Sequence, residues 1–358
     1  MDGRAAPDLS TPRFFINGRY LYAPITGVQR YAYEVARCLG RRAQLISPQT
    51  DYGRLGNNLW EQIILPRKIG SKDVLWSPAN TGPLVVANQV VTLHDTAALE
   101  HPEWFQPSFA AWYRFLLPRL ARRVRRILTV SKYSKERLLE FLSLPQEKVT
   151  VIYPGVSDQF RAAEPQACKN VRIKFRLPDQ YFLFVGALEP RKNLPRLLKA
   201  FAQVFPHHSE VGLVLAGAPG RAFRNPRLAV QQPGVIYLGE VKDADLPPLY
   251  TGAVALIIPS LMEGFGLTAL ESMACGTPVI ASKGGALEEI VGNSGLFCDP
   301  LNIDEISEAM LRLLEDAPLR QRLNILCLKR AAQFSWQKTA DQVFQVLQQV
   351  SEEVNSRS

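Results

Sequence analysis

Short apolar runs alternate with longer stretches of helical periodicity, and the alternation stops once and starts again. Phe14-Phe15-Ile16, Val74-Leu75-Trp76, Val90-Val91-Thr92-Leu93, Ile127-Leu128-Thr129-Val130 and Val149-Thr150-Val151-Ile152 read as buried strands. Between them, Gly27 to Leu39 and Pro107 to Arg126 read as helices. From Arg161 to Asn170, around Glu164-Pro165, the chain turns polar, and a linker is placed there. The pattern then resumes. Tyr181 to Val185, Gly212 to Ala216, Val235 to Leu238, Val254 to Ile258 and Pro278 to Ala281 read as strands, with helices over Leu194 to Val204, Leu267 to Ala274 and Asp304 to Glu315. A last helix, Trp336 to Val354, is long enough to pack across both halves. Strands alternating with helices give parallel sheets covered by helices.

The expected fold is α/β in two sheet domains, residues 1–165 and 166–335, with residues 336–358 as the terminal helix. The 358 residues are enough for this, at roughly 100–200 residues per domain. Two such domains imply a central cleft between them. Ligands of open parallel sheets bind beyond the carboxyl ends of the strands, so the residues at those ends matter most.

Charge separates the halves. Residues 1–165 hold 22 basic and 14 acidic side chains, net +8, whereas residues 166–358 hold 20 and 19, net +1. A basic half suggests a polyanionic partner: nucleic acid, an acidic membrane surface or a phosphorylated substrate. No recognisable nucleic-acid module is present, so no nucleic acid partner is expected. Arg119, Arg122, Arg123, Arg125 and Arg126 follow Trp112, Tyr113, Phe115, Leu116 and Leu117. They form either a solvated face beside a core stripe or a patch that docks on anionic lipid.

The five cysteines are widely spaced and form no CxxC, which argues against a disulfide framework or zinc site and for a reducing compartment. No apolar run reaches the roughly 18 residues of a membrane span, and Met1 to Pro12 has no signal-peptide core. The expected place is the cytoplasm, at most peripheral on the inner face of the membrane.

Three stretches at strand ends could carry chemistry. Pro259-Ser260-Leu261-Met262-Glu263-Gly264-Phe265-Gly266-Leu267-Thr268 runs from a strand through a glycine-containing loop into a helix. The free N–H groups of a helix N-terminus suit phosphate, and glycines let the backbone approach a ligand closely. Glu263 in the loop and Glu271 one turn into the helix add two carboxylates, which can accept bonds from vicinal hydroxyls. A sugar nucleotide fits that combination. A plain strand–helix turn with solvated acids fits the same residues.

Gly186 to Asn193 ends another strand and places Arg191 and Lys192 before a helix, where basic side chains make sense if they meet an anion. Plain surface charge is the other reading. In the first half, Val91-Thr92-Leu93-His94-Asp95 ends a strand with one of only four histidines. Structural and functional readings of His94 both stand. Gly27 opens the first helix after a loop, and Ser131 follows another strand, lining the cleft or capping a helix. No HExxH, Walker A loop or GxSxG appears.

These residues together resemble glycosyltransferase family 4, the retaining GT-B transferases. Glu263-Gly264-Phe265-Gly266-Leu267 with Glu271 matches its E-x7-E signature, and Glu271 to Ala281, Gly284-Gly285 with Glu288, Gly186 to Asn193, Leu215-Ala216-Gly217 and Phe334-Ser335-Trp336 fit it. Gly27-Val28-Gln29-Arg30-Tyr31, His94-Asp95, Val130-Ser131 and Tyr153-Pro154-Gly155-Val156 are similar to its first-half pattern.

The resemblance implies two Rossmann-like domains, the first for the acceptor and the second for a nucleotide-diphosphate sugar, GDP- or UDP-linked. It implies Glu263 near the donor sugar, Glu271 on the ribose, and His94 beside the sugar and the reacting bond. Backbone amides of Gly264, Phe265, Gly266, Leu267 and Thr268 would hold the diphosphate, with Arg191 and Lys192 and no metal or other cofactor. Gly27, Ser131 and Gly186 would line the substrate site. Many members carry arginine directly after the glycine that ends this strand, where this chain has Ala187. The implied activity is transfer of a hexose such as mannose to a lipid-linked or polysaccharide acceptor. A GT-B sugar-nucleotide epimerase and a non-catalytic nucleotide-sugar-binding protein are the alternatives.

Overall fold

The apolar runs of the first half become a parallel sheet. The structure, a computed structural model, describes residues 13–219 and 232–356, so Met1 to Pro12 lie outside the described residues. The strands are β1 (Phe14–Asn17), β2 (Gln44–Ile46), β3 (Val74–Ser77), β4 (Gln89–Thr92), β5 (Arg126–Thr129) and β6 (Val149–Val151). They lie in the order β2-β1-β3-β4-β5-β6, each parallel to its neighbour. Every residue of β3 and β4 is buried, as a strand covered by helices on both faces requires.

The second half repeats the construction with β7 (Gln180–Val185), β8 (Val211–Ala216), β9 (Val235–Gly239), β10 (Ala255–Ile258), β11 (Val279–Ser282) and β12 (Gly295–Cys298). Their order is β12-β11-β10-β7-β8-β9, again all parallel. Counted from β7, this is the 3-2-1-4-5-6 order of dinucleotide-binding sheets. The winding reverses between β7 and β10, and the loops after those two strands flank the crevice where such sheets bind ligands. Those loops hold Arg191, Lys192 and Glu263.

Three local expectations need correction. β2 and β12 were not foreseen, and both are edge strands. Two of the three β2 residues are exposed, and three of the four in β12 are only half-buried, so neither has a fully buried run to read. The polar stretch taken as linker is in large part a helix, Pro165–Phe175. Proline at its first position gives up no bond there, because the first N–H groups of a helix have no partner inside it.

The helix expected to reach Arg126 stops at Arg123, and Arg126 opens β5. This splits the arginine cluster. Arg126 pairs with Glu353, Arg125 donates to Asn88, Arg119 lies over the Phe115 ring at 3.9 Å, and Arg122 and Arg123 are exposed.

The terminal helix, Trp336–Asn355, starts after the second half and meets the first. Arg42 pairs with Asp341 at 2.7 Å, Thr339 Oγ1 donates to the Tyr153 carbonyl at 2.7 Å, and the Phe344 ring meets Phe14 edge-on at 5.2 Å. No helix of the described residues is long and apolar enough to cross a membrane.

Candidate active site

Glu263 is the centre of a buried charge cluster. Lys192 Nζ donates to its Oε1 at 2.6 Å, Arg191 Nη1 to its Oε2 at 3.0 Å, and Ser260 Oγ to Oε1 at 2.8 Å. Burial alone would raise this carboxyl, but Lys192 and Arg191 outweigh it and hold it at about 2. Arg191 also pairs through Nε with buried Glu189. Burial would lower the guanidinium, yet Glu189 and Glu263 keep it above its ordinary value. Burial raises the Glu189 carboxyl against the pull of Arg191 and Lys192.

The chain reaches this arrangement because the loops after β7 and β10 are tied together. Leu261 N donates to the Arg191 carbonyl at 2.7 Å. Asn193 adopts the left-handed conformation and its Nδ2 donates to the Pro259 carbonyl at 2.9 Å and the Pro300 carbonyl at 2.6 Å. Gly186 directly follows β7 beside Lys192, and a Cβ added there would lie 3.7 Å from Lys192 Nζ.

Past Glu263 the backbone turns into the helix Leu267–Ala274. Gly266 is its N-cap at φ +100, a conformation that favours glycine. Gly264 presses against the first half: a Cβ there would meet the His94 carbonyl oxygen at 2.4 Å. Ser131 Oγ and Ser134 Oγ donate to the Gly264 carbonyl at 2.7 and 3.0 Å. Ser131 is thus both the cap of its own helix, accepting from Ser134 N, and a strut to the loop. The Phe265 side chain is buried edge-on to Phe334, and Leu267 and Thr268 are half-buried. From the first half, Gly27 at the start of its helix faces Leu267, with 3.5 Å from its would-be Cβ to Leu267 Cδ1. Two helix N-termini therefore lie near one another, and both favour an anion.

His94 is buried at the end of β4, with its ring 4.8 Å from the ring of Tyr31. Its Nε2 bonds the Pro78 carbonyl at 2.9 Å, and its backbone N donates to Asn80 Oδ1 at 2.7 Å. Burial lowers the imidazole and so favours the neutral ring, against the opposing effect of the Pro78 carbonyl. What His94 sets directly against the Glu263 loop is its backbone carbonyl.

Glu271 has different company. Tyr250 Oη donates to its Oε2 at 3.0 Å, and Arg30 Nε stands 3.8 Å from Oε1. Burial raises this carboxyl to about 7, although Arg30 and Tyr250 pull it down. Arg30 reaches over from the first half and also pairs with Asp243 at 2.9 Å.

The structure thus gathers Glu263, Arg191, Lys192 and Gly186 on one side of the helix N-terminus. Gly27, His94 and Ser131 approach from the first half, and Glu271 sits farther along the helix. Sequence reasoning did not single out Tyr250, Asp243 or Glu289. Glu289 accepts from Lys132 N at 2.9 Å and from Tyr153 Oη, capping a first-half helix from the second half. None of these three carries a motif of its own; each matters through a neighbour brought close by folding. Among the described residues, no group of three or more His, Cys, Asp or Glu could hold a metal ion.

Residues 169–325 match the family model for glycosyl transferases group 1, and residues 77–160 match that for Glycosyltransferase Family 4. The O-antigen chain mannosyltransferase B of Escherichia coli is 33% identical over 260 residues, covering 71% of this chain and 68% of that protein. The serotype-specific mannosyltransferase WbdA of Escherichia coli is 29% identical over 262 residues, 70% of this chain but only 32% of WbdA, so the match spans about a third of that longer protein. In fold, the chain is similar to Anabaena HepE solved with UDP and glucose, with a TM-score of 0.75, 20% identity, and coverage of 94% of this chain and 100% of that one. With its two parallel sheets and the E-x7-E stretch at the switch point of the second, the chain belongs to glycosyltransferase family 4 and is a GT-B glycosyltransferase.

Proposed function

We propose that the chain is a retaining mannosyltransferase that takes mannose from a GDP- or UDP-linked donor and passes it to a lipid-linked or polysaccharide acceptor. The observation that carries this reading is the buried Glu263 carboxylate, held ionised between Arg191 and Lys192 where β7 and β10 diverge. The names of the mannosyltransferase relatives support the choice of sugar.

Residues 166–335 then form the donor unit and residues 1–165 the acceptor unit, with 336–358 tying the second back to the first. Glu271 accepts bonds from the ribose hydroxyls. The amides of Gly264, Phe265, Gly266, Leu267 and Thr268 hold the diphosphate, and Arg191 and Lys192 shift part of their pairing from Glu263 to the phosphates. Gly27, Ser131 and Gly186 leave room for the donor.

Glu263 faces the sugar ring, which flattens and gains positive charge as its bond to phosphate breaks. An ionised carboxylate held there in advance stabilises that charge without reorganising. The acceptor hydroxyl attacks from the face the diphosphate leaves. Its oxygen bonds to the anomeric carbon, the carbon–phosphate oxygen bond breaks, and the departing phosphate takes the hydroxyl proton. The configuration is kept, and the charge of the leaving group falls on the basic pair and the helix N-terminus. The site is cytoplasmic, with the basic first half toward an anionic membrane.

The test is release of free nucleoside diphosphate from GDP-mannose and UDP-mannose, with and without acceptor, together with NMR of the new linkage. Acceptor-dependent release and a linkage of the donor's anomeric configuration are expected. Release without acceptor, or an inverted linkage, overturns the reading. A thermal-shift panel of nucleotide sugars identifies the donor, since a ligand at 100 times its Kd adds about 2.7 kcal/mol.

A further inference from the structure

Arg30 lies one turn into the first-half helix Gly27–Leu39, yet the acids it meets belong to the second half. Its Nη2 donates to Asp243 Oδ1 at 2.9 Å, in the short turn Asp243–Asp245, and its Nε stands 3.8 Å from Glu271 Oε1. The guanidinium lies 5.9 Å from the centroid of the Phe160 ring, which meets Tyr250 edge-on at 6.2 Å. On its own helix the acid one turn on, Glu34, is spent on Arg37 at 2.9 Å and on Ser157 Oγ at 2.7 Å. A cation near the amino end of a helix gains nothing from the helix dipole, which favours acids there. What holds Arg30 in place is the pair of second-half carboxylates.

The groups that face the Glu271 carboxylate are Arg30, Tyr250, Asp243 beyond Arg30, and Cys275 one turn on along its own helix. Burial keeps the Tyr250 hydroxyl well above its ordinary value and pushes the Cys275 thiol up to about 12, so both are neutral near pH 7. The charge balance is left to Arg30 and Asp243. Burial raises Glu271, Arg30 pulls it down and Asp243 adds to the rise. The two acids do not hold the cation alike. The Asp243 side chain is 52% exposed, so water screens its pull on Arg30, whereas that of Glu271 is 7% exposed. A simple clamp between the halves would need Asp243 alone.

We infer that Arg30 is a positioning residue for the donor: reaching over from the first half, it keeps the Glu271 carboxylate charged for the ribose, and Asp243 sets how much of that cation Glu271 receives. The inference rests on the proposed contact of Glu271 with the ribose. It makes a residue of the acceptor half part of the donor site.

The test follows the Glu271 titration first without donor and then with it. Chains labelled with carbon-13 at the glutamate carboxyl are titrated by NMR, and the Glu271 signal is the one missing from Glu271→Gln. The wild-type midpoint should lie at about 7. Arg30→Gln should move it up by about one pH unit or more, the scale of a single opposite charge at this range. Asp243→Asn should move it down, because Arg30 then serves Glu271 alone. Arg30→Lys, which keeps the charge, should stay nearer the wild type than Arg30→Gln. Donor KM for GDP-mannose and UDP-mannose is then measured across neutral pH on the same chains. It should rise below each chain's own midpoint, and near pH 7 that of Arg30→Gln should be about twice the wild-type value, its carboxyl being mostly neutral there.

A Glu271 midpoint that is the same in wild type, Arg30→Gln and Asp243→Asn overturns the inference, and leaves the ribose contact standing if donor KM still follows it. So do shifts in one direction in both variants, the mark of a loosened structure. Midpoints that move in opposite directions while donor KM stays flat overturn the proposed ribose contact and leave the coupling of Arg30 to Glu271 standing. Should Arg30→Gln not fold, Asp243→Asn decides alone: a midpoint that fails to fall overturns the inference.

Discussion

Glu263 and Glu271 are eight positions apart on one loop and helix, and both are buried. Their carboxyls lie at about 2 and about 7. Desolvation pushes both upward, so burial does not separate them. What separates them is the distance and number of cations. Glu263 has Lys192 at 2.6 Å and Arg191 at 3.0 Å. Glu271 has one guanidinium at 3.8 Å, shared with Asp243, and a tyrosine hydroxyl. The two acids of one signature are thus built for different work: one is a fixed charge, the other a hydrogen-bond acceptor whose charge depends on pH.

Removing the cations from Glu263 should have the largest effect. In Arg191→Ala/Lys192→Ala a buried carboxylate loses its partners, at a cost of about 3–5 kcal/mol. The melting temperature should fall by many degrees at neutral pH, and nucleoside diphosphate binding and transfer should weaken together by at least tenfold. Because the folded Glu263 carboxyl lies below its ordinary 4.5, its stabilising contribution is present above that value and fades as pH falls toward 2. The double variant should lack this acid limb. A variant that melts and binds diphosphate like wild type would erase the contrast between the two acids.

His94 belongs to the Glu263 side, because its carbonyl abuts Gly264. His94→Ala should lower kcat at least tenfold, roughly 1.4 kcal/mol in barrier, with donor affinity unchanged. Normal turnover would return the buried ring, bonded to Pro78 and packed on Tyr31, to a purely structural role.

The smallest effect belongs to the pH dependence of Glu271. Ribose hydroxyls donate more strongly to a carboxylate than to a neutral carboxyl, by about 1 kcal/mol. The donor KM should therefore rise about fivefold as pH falls through 7, and Glu271→Gln should flatten the profile. A slope that survives the substitution would assign the titration to another group. On stability the sign is reversed relative to Glu263. A carboxyl raised to about 7 makes the folded state less stable as pH rises from 4.5 through 7.

The contrast explains what could be read beforehand. Central strands such as β3, β4, β8 and β10 are buried along their whole length, so their runs are plain in the chain. β2 and β12 are edges, half wet, and look like loop. The loop holding Glu263, Gly264 and Gly266 is a contiguous stretch whose glycines are required by backbone contact and a positive φ, which is why it was legible. The environment of Glu271 was not. Tyr250 comes from another helix, Arg30 from the other half and Asp243 from a short 3-10 turn, and no local pattern joins them. The pairing of both Arg191 and Lys192 with Glu263 was likewise invisible, because it depends on how two loops meet across the switch point.

In the proposed mechanism one signature divides its two acids between the reacting sugar and the ribose. Steady-state kinetics of Glu263→Gln and Glu271→Gln with varied GDP-mannose or UDP-mannose test it directly. The ribose is unchanged by the reaction, so its contact is equal in ground and transition states, and losing it should raise donor KM with kcat nearly intact. The sugar gains charge only in the transition state, so Glu263→Gln should lower kcat by about a hundredfold or more with little change in KM. The same change in both variants, or the reverse pattern, would contradict the division.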